Sequence, residues 1–187
     1  MNTVRLLAFA VAALVLAACS TVGVPSGPAS RGLDPLHDDV ASLVVAFDLP
    51  AGLGPAKGSL FTFDVGNGGP QEHLRLLLVL ADLDAVPSAL PPPGQGRAYY
   101  LFSFAEPDKA AIRAAQAAAN ARAVSADGVR LGVIPKLCSS GALDPNQVTV
   151  SVLAALPNQN GLARFVDHQL LAQLLQQPGS TQMPACL

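Results

Sequence analysis

The chain has no tryptophan, and charged residues make up only 13% of its 187 positions. Lysine and arginine nowhere form a run, and the formal net charge is −2, so no basic stripe is present for nucleic acid. The apolar stretch over residues 6–18 holds about thirteen residues, against the roughly twenty that a helix needs to cross a bilayer. A permanent membrane-spanning helix is therefore not expected there. Cysteine is scarce, with three in all and no CxxC pair, which leaves no zinc ligand set. GxSxG and SxxK, the usual settings of a nucleophilic serine, are also missing. Lys57-Gly58-Ser59 reverses the order that a phosphate loop requires, in which the lysine stands between the second glycine and the hydroxyl residue.

What is present begins at the N-terminus. Arg5 lies in a short polar start, residues 6–18 carry no charge, and small residues precede Cys19, the layout of a secretory signal. Leu16-Ala17-Ala18-Cys19 resembles the lipobox of bacterial lipoproteins, and the likeness covers residues 1–20. It implies cleavage after Ala18, a diacylglyceryl group on the Cys19 thiol, and commonly a further acyl chain on the new amine. A single acyl chain binds a membrane only marginally, at about 0.8 kcal/mol per buried methylene, whereas two or three hold stably. Ser20, a residue other than aspartate after the cysteine, resembles the outer-membrane sorting signal of two-membrane bacteria. The expected site is the outer membrane, facing the periplasm.

Three regions follow: a signal peptide over residues 1–18, a lipidated cysteine with a flexible tether over 19–36, and one domain over 37–187. The tether of small residues, Gly and Pro would average about 20 Å end to end, and folding is expected to begin near Val40. Without the signal the chain keeps ten basic against thirteen acidic residues. With Cys19 committed to lipid, Cys138 and Cys186 are the pair left for an oxidising compartment, and a disulfide between them is expected.

Alternating apolar residues predict most of the strands. Leu43, Val45, Phe47 and Leu49 mark one half-buried strand and Phe61, Phe63 and Val65 another. Gly66-Asn67-Gly68-Gly69-Pro70 supplies a reversal. Residues 73–83 are apolar on both faces and read as a central strand. Residues 97–105, 129–137 and 147–156 supply further strands. Residues 106–121 change period: Pro107 suits a first helical turn, and Glu106 and Asp108 sit at its positive dipole end. This alanine-rich helix is expected to cover the second face of the central strands. Asp167 is placed as the N-cap of a last helix over residues 168–177, with Val166 and Leu171 as its staple and Pro178-Gly179 as its stop. The fold class is α+β and β-rich: an antiparallel sandwich or packed sheet of about six strands, with an inserted helix and a short C-terminal one.

Candidate chemistry is sparse. Asp34, His37, Asp38 and Asp39 form the densest set of ligand types, and Asp82 and Asp84 a second, but neither has the spacing of a known metal loop; both read as solvated, and no metal or cofactor is assigned. His73 and His168 have ordinary structural explanations, and Ser139-Ser140-Gly141 reads as a turn. The Pro91-Pro92-Pro93 run, with Tyr99 and Tyr100 beside it, is the candidate interaction loop, because it lies in the longest break between regular elements. The sequence therefore describes a membrane-anchored binding or accessory subunit for another envelope component. The rival readings are an envelope hydrolase acting on lipid or cell-wall material and a carrier of small apolar ligands.

Overall fold

The structure is a computed structural model and describes residues 33–66, 72–81, 87–156, 162–176 and 183–186. Cys19, the signal segment, Asp82 and Asp84, most of the 66–70 reversal and the expected stop at Pro178-Gly179 lie outside these residues.

The fold is α+β and rich in antiparallel strands. Strand β1 (Val44–Pro50) lies between β6 (Arg97–Ser103) and β9 (Thr149–Ala155). Outside these stand β5 (Val79–Leu80), next to β6, and β10 (Leu162–Leu170), next to β9, which completes a five-stranded sheet. A three-stranded sheet sets β3 (Leu60–Val65) between β4 (Glu72–Leu77) and β7 (Val129–Ile134). A two-stranded ribbon pairs β2 (Leu53–Pro55) with β8 (Leu137–Ser139). Ten strands thus stand among the described residues where about six are expected, because apolar runs that look continuous are broken and one strand has the sequence signals of a helix.

Alternation sends Val45, Phe47, Leu49, Phe102, Val150 and Val152 of the large sheet into the same core as Phe61, Phe63, Val65, Leu131 and Val133 of the three-stranded sheet. Phe61 meets Phe104 edge-on at 5.0 Å and Phe165 at 6.1 Å between ring centroids, geometries that aromatic quadrupoles favour.

Helix α1 spans Glu106–Ala121, with Pro107 in its first turn and Glu106 and Asp108 at its dipole-positive end, as the sequence predicts. Its buried Ile112, Ala115 and Ala119 join the core. Its polar side chains do something unforeseen. Buried Gln116 donates from Nε2 to the carbonyls of Pro35 (2.9 Å) and Asp38 (2.8 Å), and Asn120 donates to that of Leu36 (3.1 Å). Arg113 pairs with Asp39 at 3.2 Å. Leu33, Leu36, Val40 and Ala41 are buried, so packing starts ahead of Val40. Hydrogen bonds from Ser42 and Arg113 hold the Asp39 carboxyl below its usual range.

Three further readings are corrected. Strand β1 is buried on both faces, not one, since it lies inside the sheet. Residues 73–83 do not form a central strand. They break at Leu78 into β4 and β5, each at the edge of its sheet, and Leu77, Val79 and Leu80 face outward at 50%, 44% and 61% exposure. Two apolar faces here mean that one is left uncovered. The C-terminal helix is reduced to α2 (Leu171–Leu175), because β10 continues through Leu170 with two irregularities in its pairing. Asp167 caps nothing: its carboxylate takes Arg164 (3.1 Å) and the ring of His168 (2.9 Å). His168 itself stands in the left-handed region, φ 48°, at the second irregularity.

Cys138 and Cys186 are joined by a disulfide, with sulfurs 2.08 Å apart. The bond lays residues 184–186 along β8: Ser139 N–H donates to the Pro184 carbonyl and Cys186 N–H to that of Ser139, both at 2.9 Å. Cys138→Ser/Cys186→Ser is expected to lower stability by about 4 kcal/mol for a loop of this size in the chain-entropy model, read as a fall in the urea midpoint. An unchanged midpoint would show that the staple contributes nothing.

Candidate functional site

The outward face of the large sheet is built from small and apolar residues in register: Ala46 opposite Leu101 and Leu153, and Asp48 opposite Tyr99 and Ser151. Across it lies the chain preceding β6. Leu90 is buried on Ala46, Leu153 and Ala155, flanked by Ala89, Tyr99, Leu101 and Leu162. Leu90 N–H closes a turn onto the Pro87 carbonyl at 3.0 Å. The phenolic hydroxyl of Tyr99 donates to the Pro91 carbonyl at 2.7 Å. After these two fixings, residues 91–96 are exposed. Gly96 turns the chain back with φ 71°, its carbonyl accepting Ala51 N–H at 3.0 Å.

The structure thus unites Pro91 with Tyr99 and separates Tyr100, which alternation sends to the opposite face against the main core. Pro92 and Pro93 stand outward, beside a tyrosine that is itself tied down. Burial pushes the Tyr99 hydroxyl above its usual pKa and the Asp48 charge pushes it further, against the opposing effect of Arg164 and Arg97. The ring therefore offers an uncharged surface at neutral pH. A proline run tied at one end beside an aromatic ring has little conformational freedom left to lose.

Beneath the loop lies a charged arrangement that sequence reasoning missed. Arg97 donates from Nε to Asp48 Oδ1 at 2.9 Å and from Nη2 to the Asp48 carbonyl at 2.7 Å. Both Nη groups reach the Thr149 carbonyl at 3.2 Å. One guanidinium therefore ties β6, β1 and β9 together, with its side chain 14% and that of Asp48 10% exposed. The signal was available: Asp48 is a lone charge within an otherwise apolar strand, and a buried carboxylate requires a partner. Ser151, also buried, accepts His168 N–H at 3.0 Å.

The remaining candidates stay apart. Asp34 accepts from Leu36 N–H and pairs with the His37 ring at 2.8 Å, while Asp38 accepts from Asp34 N–H. This is a surface turn, with Asp39 drawn away to Arg113. His73 pairs with Asp64 at 2.9 Å and His168 with Asp167, so each histidine meets an aspartate at the surface. The Ser139 hydroxyl donates to the Gly141 carbonyl and that of Ser140 to the Gly52 carbonyl, a turn. No group of three or more His, Cys, Asp or Glu among the described residues is placed to hold a metal ion. No family model matches this chain, and neither the curated proteins nor the solved structures give a match.

Removing one partner of a buried ion pair strands the other. Arg97→Ala is expected to cost roughly 3 kcal/mol or more, seen as a lowered melting temperature. The volume-matched Asp48→Leu/Arg97→Met pair should recover most of that loss. A neutral Arg97→Ala would show that the pair is solvated.

Proposed function

We propose that this chain is an envelope lipoprotein, cut after Ala18 and held on the periplasmic face of the outer membrane by lipid on Cys19, with a β-sandwich domain that serves as a binding or accessory subunit. The observation that carries the reading is the division of its cysteines. Cys138 and Cys186 are bonded to each other, as suits an exported and oxidising compartment. That leaves Cys19 behind an uncharged apolar run, where a lipid-modification signal would place it.

The domain's contribution is contact. Residues 91–93 and Tyr99 form its projecting loop, fastened at Leu90 and at the Tyr99–Pro91 hydrogen bond, and this is the surface offered to another envelope protein. Anchoring raises the local concentration of the loop near any partner on the same membrane, so a weak contact suffices.

Mass spectrometry of the mature N-terminus should find Cys19 acylated, and Cys19→Ser should move the protein out of the membrane fraction. An unmodified thiol or an uncut leader would overturn the anchor. A photocrosslinking residue at position 92 in the anchored protein should give one discrete adduct that Tyr99→Ala diminishes. A diffuse pattern unaffected by Tyr99→Ala would remove the loop from the contact.

A further inference from the structure

The outward face of the three-stranded sheet is organised in cross-strand rows. Register places Ile134, Leu60 and Leu77 side by side across β7, β3 and β4; the next rows are Gly132, Thr62, Arg75 and then Arg130, Asp64, His73. Leu60 and Ile134 are half-buried and Leu77 is exposed. Arg75 and Arg130 are exposed on this face, and exposed Lys57 lies in the turn that leads into Leu60. Within these rows the acid is Asp64, already paired with His73.

These basic residues differ from five others among the described residues. Arg97, Lys109, Arg113, Arg122 and Arg164 each pair with a carboxylate. Lys57, Arg75 and Arg130 have no carboxylate partner among the described residues; Arg75 and Arg130 stand on this face, and Lys57 lies in the turn that leads into it. On a chain of net charge −2, three basic side chains without a carboxylate partner among the described residues stand around exposed Leu77 and half-buried Leu60 and Ile134. That combination is the chemistry of an anionic lipid surface: apolar groups enter the interface while cations meet the headgroups.

The chain's own course brings this face within reach. Asn120 holds Leu36, and Arg122, two residues on, pairs with Glu72 at 3.5 Å, so the described chain begins near the Glu72 end of β4. Leu77 lies about 17 Å further along that strand. The segment from Cys19 to Gly32 holds fourteen residues and spans at most about 48 Å.

We infer that the face bearing Leu60, Leu77 and Ile134, flanked by Lys57, Arg75 and Arg130, rests on the anionic surface of the bilayer that holds the anchor. The inference builds on the lipoprotein reading, and it gives the anchored domain a fixed orientation. The projecting loop, on the outward face of the other sheet, then points away from the membrane.

The lack of tryptophan makes the test direct. Leu77→Trp and Gln95→Trp, each in the full lipidated chain, are reconstituted in zwitterionic phospholipid vesicles with and without phosphatidylglycerol. With the anionic lipid, emission from the indole at position 77 should shift to the blue and fall roughly twofold or more with brominated acyl chains; the indole at position 95 should emit as in water. Arg75→Gln and Lys57→Gln, each added to Leu77→Trp, should weaken its response roughly fivefold, and high salt should do likewise. Circular dichroism checks that each variant folds. Emission of the Leu77→Trp chain that stays water-like, or responds equally without anionic lipid, would overturn the inference. So would a blue shift that grows with protein concentration in the absence of vesicles, the mark of a second copy on this face. Flotation of the same samples reads the anchor separately, and Cys19→Ser/Leu77→Trp chains mixed with vesicles read the face without it.

Discussion

A carboxylate at position 48 sits in a strand covered on both sides, and the arrangement around β1 answers that constraint. Burying Asp48 unpaired would cost far more than one strand contributes. Arg97 must therefore begin β6 where it does, reaching back across β1 to the Thr149 carbonyl of β9. The same dry outward face needs a cover over Ala46, Leu153 and Ala155, and Leu90 supplies it. The loop's course thus follows from the need to close the sheet. Its exposed prolines are a by-product of that packing solution.

Sequence periodicity locates the elements with one buried face or a strong local signal. Helix α1 is legible to the residue because Pro107, two acidic residues and an alanine run agree. β3, β6 and β9 are legible from alternation, and the disulfide from counting cysteines. The failures share a cause: each needs information from a distant segment. Asp167 has the chemistry of a cap, but Arg164 and His168 take its oxygens, and β10 continues through it. Residues 73–83 look central because both faces are apolar, yet whether a second face is covered depends on strand order, which periodicity does not encode.

The loop residues illustrate the same division. Pro91 and Tyr99 are neighbours in the candidate loop and do meet, while Tyr100, one position on, is on the other side of the sheet, as strand geometry dictates. The basic face has no signature in the sequence. Lys57, Arg75 and Arg130 come from three separate segments, and a chain with no Lys/Arg run can still concentrate charge once register sets those segments side by side.

Gln116 and Asn120 hold the first described residues to the side of α1 through three hydrogen bonds to backbone carbonyls. Any pull on the chain ahead of Leu33 is therefore met first by that helix and not by the end of β1. Such a load must break the three bonds and lift Leu33, Leu36 and Val40 from the core before it reaches the sheet. The segment acts as a mechanical buffer, letting the domain yield by a few residues under strain while its strands stay paired.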